Sequence, residues 1–510
     1  MMKLSKAILP NIKTYPGLVL PDKQVFDLPE KILQFGTGVL LRGLPDFIFN
    51  EANNQGLFNG RIVVVKSTGN GSTDHFVEQD GLYTVCVRGI QDGVKVSQDH
   101  VVATISRVLS AMNEWDEVLQ CAANPHMQLI ISNTTEVGIA LVKENIHADP
   151  PLSFPGKLLS FLYHRYKFFN ADPDKGMVIV PTELIPFNGD RLLSILLELA
   201  HFNNLESAFL DWLENSNCFC NSLVDRIVPG KLNDQEQKEV EKKLDCTDEL
   251  MIKSEIYSLW AIQSSSSKVK ELFSFASENS AVIICDDIEK YRELKLRLLN
   301  GSHTFTCAVA FLAGFDLVRI AMQNEDFKQF IEHLMYGEMI PAITSDTIST
   351  EEATKFANNT LDRYRNVFID HHWLSITAQF SYKMNLRNSF IIENYIRRFN
   401  SAPTLMAFGM ASFLLFMRCK QADDGKFYGN LNGNRYFITD DNAPYFSKIW
   451  EQNNTKEIVD KVLSNENLFE WGSDIAEIFK PEVVDWLDIL LSKGVEHAIQ
   501  IVNSKNVKSA

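Results

Sequence analysis

Three side chains that can do chemistry lie close together near the middle of the chain, namely Lys295, Asn300 and His303. In an α-helix, where each residue turns by about 100°, they would project at roughly 0°, 140° and 80° and so share one half of the helix surface. An amine there can take up a proton, an amide can hold a developing oxyanion, and an imidazole can orient a hydroxyl group. The same spacing also suits a surface lysine, a capping asparagine and an incidental histidine, so other parts of the chain must decide.

A glycine turn near the N-terminus predicts a binding site for the phosphates of a dinucleotide. The apolar run at residues 31–35 reads as a strand, and a Gly-Thr-Gly turn leads from it into an amphipathic segment. Gly36 permits the tight turn and Gly38 lets the backbone approach a pyrophosphate. Leu41 occupies the place of the third glycine of the usual fingerprint, and Arg42 is positioned to assist with phosphate.

Three further apolar runs, at residues 61–67, 127–132 and 176–180, predict parallel strands. Ligands of open α/β sheets bind beyond the carboxyl ends of such strands. Glu136, Glu183 and Asn188 follow these ends and are therefore candidates for function, although each would also suit a helix cap or a loop.

The end of the second strand bears on the choice of cofactor. A dinucleotide fold usually places Asp or Glu there for the adenosine ribose 2′-hydroxyl. Here Lys66, Ser67 and Thr68 stand instead, a set that could equally receive a 2′-phosphate. The extended segments at 83–90 and 95–106 that follow are interpreted as an insertion.

The second half of the chain shows helical patterns and no strand-like alternation. The longest apolar run, Leu405 to Met417, is too short to span a bilayer and is interpreted as a buried helix. The main loop indications are at 424–425 and 430–434. We therefore predict an α/β dinucleotide-binding domain with insertions at 1–285 and a mostly α-helical domain at 286–510.

Composition excludes several classes of protein. The formal net charge of −16 argues against a surface for nucleic acid or for an anionic membrane. No apolar signal region follows the N-terminus, and the scattered cysteines include no zinc-binding pattern, so we expect reduced thiols, a cytoplasmic location and no metal.

Taken together and in order, these segments resemble the mannitol dehydrogenase family of polyol-specific long-chain dehydrogenases. The motifs that carry the resemblance are Gly36-x-Gly38-x-x-x-Arg42, Thr134-Thr-Glu136, Asn188-Gly, Val224-Asp-Arg-Ile and Lys295-x4-Asn300-x2-His303. The resemblance implies a Rossmann-type N-terminal domain, a helical C-terminal domain, a cleft between them, and metal-independent hydride transfer between NAD(P) and a sugar alcohol or its acid. NAD is the cofactor that it favours, with NADP as the alternative.

The resemblance also implies roles for individual residues. Lys295 would be the acid/base, Asn188 and Asn300 would form the oxyanion site, His303 would orient the reacting hydroxyl, and Glu136 would take part in proton passage. The residues expected at the cofactor are Phe35, Gly36, Thr37, Gly38, Val39, Leu40, Arg42, Lys66, Ser67, Thr134 and Glu136.

A group of cationic side chains in the helical half indicates an acidic substrate, because an otherwise acidic protein would repel one. The group comprises Arg365, His371, His372, Lys383 and Arg387. Arg365, His372 and Lys383 are the expected substrate contacts, unless internal ion pairs with Asp362 or Asp370 occupy them. The preferred substrate is a keto-hexuronate, and the alternatives are a neutral polyol or a non-catalytic nucleotide-sensing protein. We expect a monomer or a small homo-oligomer.

Overall fold

The computed structural model describes residues 1–67, 73–134 and 138–506, with residues 505 and 506 described by their backbone alone. The chain divides into two compact units, the first comprising Met1–Ile288 and the second beginning at Glu289. The division falls in the short link between the strand Val282–Cys285 and the helix Glu289–Leu294, whereas the sequence predicted it between residues 285 and 286.

The first unit contains both strands and helices. Its strands are β1 (Met2–Lys3), β2 (Leu18–Val19), β3 (Glu30–Phe35), β4 (Arg61–Lys66), β5 (Tyr83–Gln91), β6 (Val94–Val102), β7 (Ile105–Ser110), β8 (Leu129–Ser132), β9 (Val178–Pro181), β10 (Cys218–Phe219), β11 (Asn221–Asp225), β12 (Cys246–Thr247), β13 (Ile252–Glu255), β14 (Leu259–Gln263) and β15 (Val282–Cys285). Its helices are α1 (Val39–Gly43), α2 (Pro45–Asn54), α3 (Asp74–Glu78), α4 (Trp115–Ala122), α5 (Phe154–Phe168), α6 (Asn188–Phe202), α7 (Ser207–Asn215), α8 (Asp234–Leu244) and α9 (Ser267–Leu272), with 3₁₀ turns at Leu9–Asn11, Lys23–Asp27, Pro173–Lys175 and Ser274–Ser277.

A six-stranded parallel sheet forms the centre of this unit, with the strand order β10-β9-β8-β3-β4-β7. After β3 the chain adds β4 and β7 on one side and then β8, β9 and β10 on the other. The order therefore reverses between β3 and β8, which is where an open α/β sheet binds its ligand. The four strands predicted near residues 31, 61, 127 and 176 are all present, and this prediction is confirmed.

The apolar runs are unbroken because this sheet is buried on both faces. Ile62 and Val64 of β4 pack into one apolar cluster, while Val63 and Val65 pack into the other. Alternate residues of a strand point to opposite faces, so a strand covered on both sides has no polar positions to offer. Burial of the sheet on both faces therefore explains why the apolar runs in the sequence have no polar alternation.

The predicted insertion is partly wrong. β5 and β6 form an antiparallel hairpin in a separate four-stranded sheet, as an insertion would. β7, however, pairs in parallel with β4 and forms the edge of the central sheet. Val101, Val102, Ala103 and Ile105 are all fully buried, so no change in composition marks the point where the chain leaves one sheet for the other.

The second unit is mostly helical. Its helices are α10 (Glu289–Leu294), α11 (Ser302–Leu312), α12 (Val318–Ala321), α13 (Glu325–His333), α14 (Ile340–Ile343), α15 (Thr350–Tyr364), α16 (Trp373–Ile376), α17 (Phe380–Met384), α18 (Phe390–Phe399), α19 (Thr404–Phe416), α20 (Ala443–Gln452), α21 (Thr455–Leu463), α22 (Ser473–Lys493) and α23 (Val495–Asn506). Three π-helical turns interrupt them, at Lys295–Gly301, Leu334–Met339 and Asn385–Ser389. The predicted buried helix at 405–417 is confirmed as α19, nearly all of which is buried.

This unit also contains a small antiparallel sheet, which the sequence analysis missed. Its strands are β16 (Lys420–Gln421), β17 (Phe427–Leu431) and β18 (Asn434–Phe437). The residues interpreted as a loop at 430–434 include the hairpin turn itself, in which Asn432 and Gly433 have φ values of 52° and 88°. Asn-Gly with both φ values positive is the preferred two-residue hairpin turn. Among the helices described, none is both long and apolar enough to cross a bilayer.

Candidate active site

The turn after β3 has the geometry that a dinucleotide requires. Gly36 has a φ of 123°, and a β-carbon there would lie 3.0 Å from the carbonyl oxygen of Asn133 and 3.0 Å from Leu41 Cδ1. A β-carbon on Gly38 would meet no atom within 4 Å, so the turn borders open space. These residues therefore fit the close approach of a pyrophosphate to the backbone.

The other residues predicted at this turn differ in exposure. Phe35 is fully buried and its ring packs on Phe154 with the ring centroids 5.2 Å apart, so only its backbone is available to a ligand. Thr37, Val39 and Leu40 are half-buried and follow Gly36 around the turn.

Arg42 does not have the position predicted for it. The residue is 8% exposed, and its Nη1 donates a hydrogen bond to the carbonyl of Leu250 at 2.6 Å. Its guanidinium carbon lies 5.3 Å from the ring centroid of Tyr83 and 5.8 Å from that of Phe76. The side chain is directed into the first unit, and this placement argues against the predicted phosphate contact.

Three buried polar side chains, those of Gln34, Asp46 and Tyr83, support the glycine turn from inside the protein. Gln34 Nε2 donates to the carbonyl of Gly36 and to Asp46 Oδ2, both at 3.3 Å. The Tyr83 hydroxyl donates to the carbonyl of Arg42 at 3.0 Å and lies 3.5 Å from Asp46 Oδ2. Asp46 is fully buried, and burial raises the pKa of its carboxyl to about 7. No local sequence pattern indicated this residue, because its partners come from two other strands.

The end of β4 places Lys66 and Ser67 next to the same edge of the sheet. Lys66 is 9% exposed, and the Ser67 hydroxyl is buried without a hydrogen-bond partner among the residues described. An unsatisfied hydroxyl at this position is suited to bond a ribose hydroxyl or a phosphate oxygen. Thr68 lies outside the described residues.

Glu183 holds the loop that follows β8. Its Oε1 accepts hydrogen bonds from the backbone N–H of Thr134 at 2.9 Å and from the Thr134 hydroxyl at 3.0 Å, and its Oε2 accepts one from Ser132. Burial raises the pKa of Glu183. The side chain therefore positions Thr134 at the carboxyl end of the sheet. Glu136, predicted in proton passage, lies outside the described residues.

Asn188 is a structural residue in this fold. Its Nδ2 donates to the carbonyls of Pro181, Glu183 and Ser222 at 3.0–3.1 Å, and its Oδ1 accepts from the backbone N–H groups of Gly189 and Ser222. The residue is fully buried, and both of its N–H groups are already used. This argues against the predicted oxyanion role, because no donor remains for a substrate oxygen.

Lys295 and Asn300 both lie on a π-helical turn. The helix that begins with α10 passes through the π-helical turn Lys295–Gly301 before it continues as α11. In a π-helix each N–H bonds the carbonyl five residues earlier, so each turn holds more residues and residues five apart are separated by less than the roughly 140° of an α-helix. The α-helical prediction placed these two residues on one half of the surface, and the π-helical geometry reduces the angle between them further. The Asn300 side chain is half-buried, and its amide has no hydrogen-bond partner in the part of the chain described.

His303 sits one turn further along in an aromatic pocket. Its ring centroid lies 4.2 Å from that of Tyr364 and 5.2 Å from that of His371. Tyr364 is itself fixed, since its hydroxyl bonds Ser302 Oγ at 2.8 Å. Burial, followed by the charges of His371 and Arg363, holds the pKa of His303 well below its usual range. The imidazole is therefore neutral at neutral pH, and its buried Nε2 has no partner among the residues described.

Two of the predicted substrate contacts lie next to carboxylates. Arg365 Nη2 lies 2.7 Å from Glu332 Oε1, and its Nη1 lies 3.4 Å from Asp362 Oδ1. His372 Nδ1 lies 3.1 Å from Asp316 Oδ1 at an exposed position. Internal pairing, the alternative foreseen from the sequence, applies to Arg365.

Lys383 and Arg387 differ from those two residues. Lys383 Nζ donates to the carbonyl of Ile376 at 2.9 Å. Arg387 Nη1 donates to Thr304 Oγ1 at 3.1 Å and weakly to the carbonyl of Asn300 at 3.5 Å. Neither cation contacts a carboxylate within the described ranges.

A parallel sheet whose order reverses beside a glycine turn, followed by a helical unit carrying an acid/base candidate, defines a two-domain dinucleotide-dependent dehydrogenase. Comparison with known families is in agreement. The chain belongs to the mannitol dehydrogenase family, because residues 30–273 match the mannitol dehydrogenase Rossmann domain and residues 287–488 match the mannitol dehydrogenase C-terminal domain. The predicted fold class is thereby confirmed, and the protein is an oxidoreductase that acts on CH–OH groups with a nicotinamide dinucleotide.

Relatives of known name match almost the whole chain. An altronate oxidoreductase of Halalkalibacterium halodurans is 36% identical over 92% of this chain and 93% of its own length. The altronate oxidoreductase of Bacillus subtilis is 34% identical over 94% of this chain and 97% of its own length.

Two solved structures share the fold. A D-sorbitol dehydrogenase in substrate-free form matches with a TM-score of 0.77 at 18% identity, over 98% of this chain and all of its own. A Pseudomonas fluorescens mannitol 2-dehydrogenase in ternary complex with NAD and D-mannitol matches with a TM-score of 0.64 at 20% identity, over 99% of this chain and all of its own.

Proposed function

We propose that this protein catalyses the reversible, NAD-dependent reduction of the keto-hexuronate tagaturonate to altronate. The observation that carries the proposal is the similarity to altronate oxidoreductases over more than nine-tenths of the chain. The cationic side chains of the second unit support it, because they give an acidic protein a local positive charge for an acidic substrate.

The first unit supplies the residues proposed to hold the dinucleotide. They are Phe35, Gly36, Thr37, Gly38, Val39, Leu40, Lys66, Ser67 and Thr134, all at the turn after β3 or at the ends of β4 and β8. When bound, the reduced nicotinamide supplies the hydride that goes to the carbonyl carbon of the substrate. NAD is proposed because the family resemblance favours it, while Lys66 and Ser67 keep NADP as the competing outcome.

The second unit supplies the groups proposed to act on the substrate oxygen. The Lys295 ammonium gives a proton to the oxygen of the carbonyl as that group is reduced, and in the reverse direction the amine takes the proton from the alcohol. The Asn300 amide donates a hydrogen bond to the same oxygen and so stabilises its developing negative charge. His303, neutral and with Nε2 unsatisfied among the described residues, accepts a hydrogen bond from a substrate hydroxyl and orients it.

The test is to mix the purified protein with NADH and follow the reduced-nicotinamide absorbance with tagaturonate, fructuronate and fructose in turn. We expect the highest kcat/KM with tagaturonate. A higher value with fructuronate would make the protein a fructuronate reductase, and equal reduction of fructose would make it a mannitol-type polyol 2-dehydrogenase. Repeating the assay with NADPH decides the cofactor, since a tenfold preference for NADPH would overturn the choice of NAD.

A further inference from the structure

We propose that Arg387 determines the preference for an acidic substrate by binding its carboxylate, together with Lys383. The inference rests on the proposed function and deepens it, since it assigns substrate selectivity to a residue outside the family motifs. It follows from the position, anchoring and charge balance of this side chain.

Arg387 borders the turn that carries Asn300. Through Nη1 it bonds the Thr304 hydroxyl and reaches the carbonyl of Asn300, which places its guanidinium beside the segment between Lys295 and His303. Nε and Nη2 have no hydrogen-bond partner among the described residues, and the side chain is half-buried. Donors therefore remain for a ligand at this site.

The backbone at Arg387 is held in place by a second arginine. Arg297 Nη1 donates to the carbonyls of Leu386 and Arg387 at 2.8 and 2.9 Å, while its Nε lies 2.9 Å from Glu293 Oε2. Both arginines lie on π-helical turns, and the Glu293 carboxylate compensates only Arg297. Arg387 is thus positioned rigidly without a counter-ion of its own.

The charge balance points to a bound anion. Lys383 and Arg387 lie one helical turn apart, and burial together with the charge of Arg387 lowers the pKa of Lys383. The Cys307 thiol is the acidic group that would interact most strongly with both cations if it were ionised. Burial raises the pKa of this thiol to about 12, so it stays neutral. Two partly buried cations that repel each other destabilise the empty site, and a carboxylate would offset this cost.

A carboxylate fits this pair better than a hydroxyl does. A guanidinium offers parallel N–H donors that match the two oxygens of a carboxylate, and an ammonium adds a point charge. In a neutral sugar alcohol the same position carries a hydroxymethyl group, which gains no charge-assisted bond. The pair should therefore distinguish hexuronates from neutral sugars of the same configuration.

The experiment measures the ratio of kcat/KM for tagaturonate to kcat/KM for tagatose, whose hydroxymethyl group replaces the carboxylate. Arg387→Gln should lower this ratio by about tenfold to a hundredfold, the usual effect of one charge-assisted hydrogen bond. Arg387→Lys should recover part of the ratio, because it keeps the charge but loses the paired donors. Arg398→Gln is the matched control, since Arg398 lies in the same unit and, among the described residues, donates only to the carbonyls of Pro341 and Thr344.

The possible outcomes separate the inference from the proposed function. If the wild-type protein prefers tagaturonate and Arg387→Gln loses activity equally on both sugars, the residue supports the fold and the inference is wrong. If the wild-type protein shows no preference for tagaturonate, the proposed function itself fails. A melting temperature of Arg387→Gln close to that of Arg398→Gln, together with unchanged NADH affinity, would show that a loss of selectivity does not come from misfolding.

Discussion

At the scale of single residues, the chemistry depends on which polar groups are left unsatisfied by the fold. Asn188 and Asn300 are the same residue type, but the amide of Asn188 is used up by backbone hydrogen bonds while that of Asn300 has no partner in the part described. An amide whose N–H groups are already bonded has no donor left for a substrate, whereas a half-buried amide without a protein partner can still donate a hydrogen bond to one. Asn300 and His303 are therefore stronger candidates than Asn188.

Replacing Lys295 by Met should remove the proton donor without changing the fold. We expect kcat to fall by at least about 10²–10⁴, the usual contribution of a positioned acid or base. The affinity for NADH, followed by its fluorescence, should change little because the residue lies outside the first unit. Lys328→Met, which removes a half-buried lysine that pairs with the exposed Glu325 in the same unit, serves as the control. A Lys295→Met enzyme with near-normal kcat would disprove the assignment.

At the scale of elements, two irregular turns do what regular structure cannot. The π-helical turn reduces the angle between Lys295 and Asn300, residues that an α-helix would separate by about 140°. The turn after β3 needs a positive φ at Gly36 and an open space beside Gly38. Each turn follows a regular element that positions it, so the site depends on where helix and strand are interrupted.

The two glycines of the turn should respond differently to alanine. Gly36→Ala should lower the free energy of unfolding by at least about 1–2 kcal/mol, because its backbone conformation and the Asn133 carbonyl both oppose a β-carbon. Gly38→Ala should leave stability nearly unchanged but weaken NADH binding, because its β-carbon would enter the space proposed for the dinucleotide.

Urea denaturation and NADH titration separate the two effects. Gly93→Ala is the control for backbone strain alone, since Gly93 also has a positive φ but no atom lies within 4 Å of its β-carbon position. Unchanged NADH affinity in Gly38→Ala would show that the dinucleotide does not approach this turn.

The Asp46 carboxyl below this turn should make stability depend on pH. Its pKa is about 7 in the folded protein, against an ordinary value of 3.8. Between these values the folded state keeps a proton that the unfolded state has lost, so the free energy of unfolding falls as the pH rises from about 4 to about 7. Asp46→Asn removes this effect. From pH 5 to pH 8, the free energy of unfolding of this variant should therefore rise by at least about 1 kcal/mol relative to that of the wild type.

Denaturation of the wild type and of Asp46→Asn at pH 5 and at pH 8 measures this difference in the free energy of unfolding. Asp211→Asn, which changes an exposed carboxylate in the same unit, should show no such gain. If Asp46→Asn is destabilised equally at both pH values, the carboxyl is ionised in the native protein and the sign of the effect is wrong.

At the scale of the whole molecule, the chain is strongly acidic, and its proposed acidic substrate binds at a local group of positively charged side chains. The formal net charge is −16, and Arg365, one of the predicted substrate contacts, is compensated by Glu332 and Asp362. Lys383 and Arg387, which contact no carboxylate among the described residues, carry the selectivity proposal. Both residues belong to the second unit, whereas the dinucleotide turn belongs to the first.

Activity should survive prolonged treatment with EDTA. Asn300 is proposed to stabilise the oxyanion, and across residues 1–67, 73–134 and 138–506 no cluster of three His, Cys, Asp or Glu side chains is arranged to hold a metal ion. The measurement is kcat/KM before and after dialysis against the chelator, with a zinc-dependent alcohol dehydrogenase treated in parallel. Loss of activity that zinc restores would contradict the proposal.

The sequence by itself determined the features that depend on neighbours along the chain. Apolar runs predicted the four strands of the central sheet, the glycine spacing predicted the turn after β3, and the continuous apolar stretch predicted α19, because burial on both faces and turn geometry leave local patterns. The Asn-Gly hairpin at Asn432 was also visible locally, but its exposed strands lack the alternation that marks a buried face.

Only the tertiary structure decided which side chains remain available. Arg42 turns inward because the Leu250 carbonyl, far away in the sequence, accepts its hydrogen bond. Arg365 is compensated by Glu332 whereas Arg387 is not, and Asp46 keeps its raised pKa because strands from elsewhere bury it. Hydrogen bonds, charge balance and desolvation all depend on groups brought together in space, and no spacing of residues along one segment can encode them.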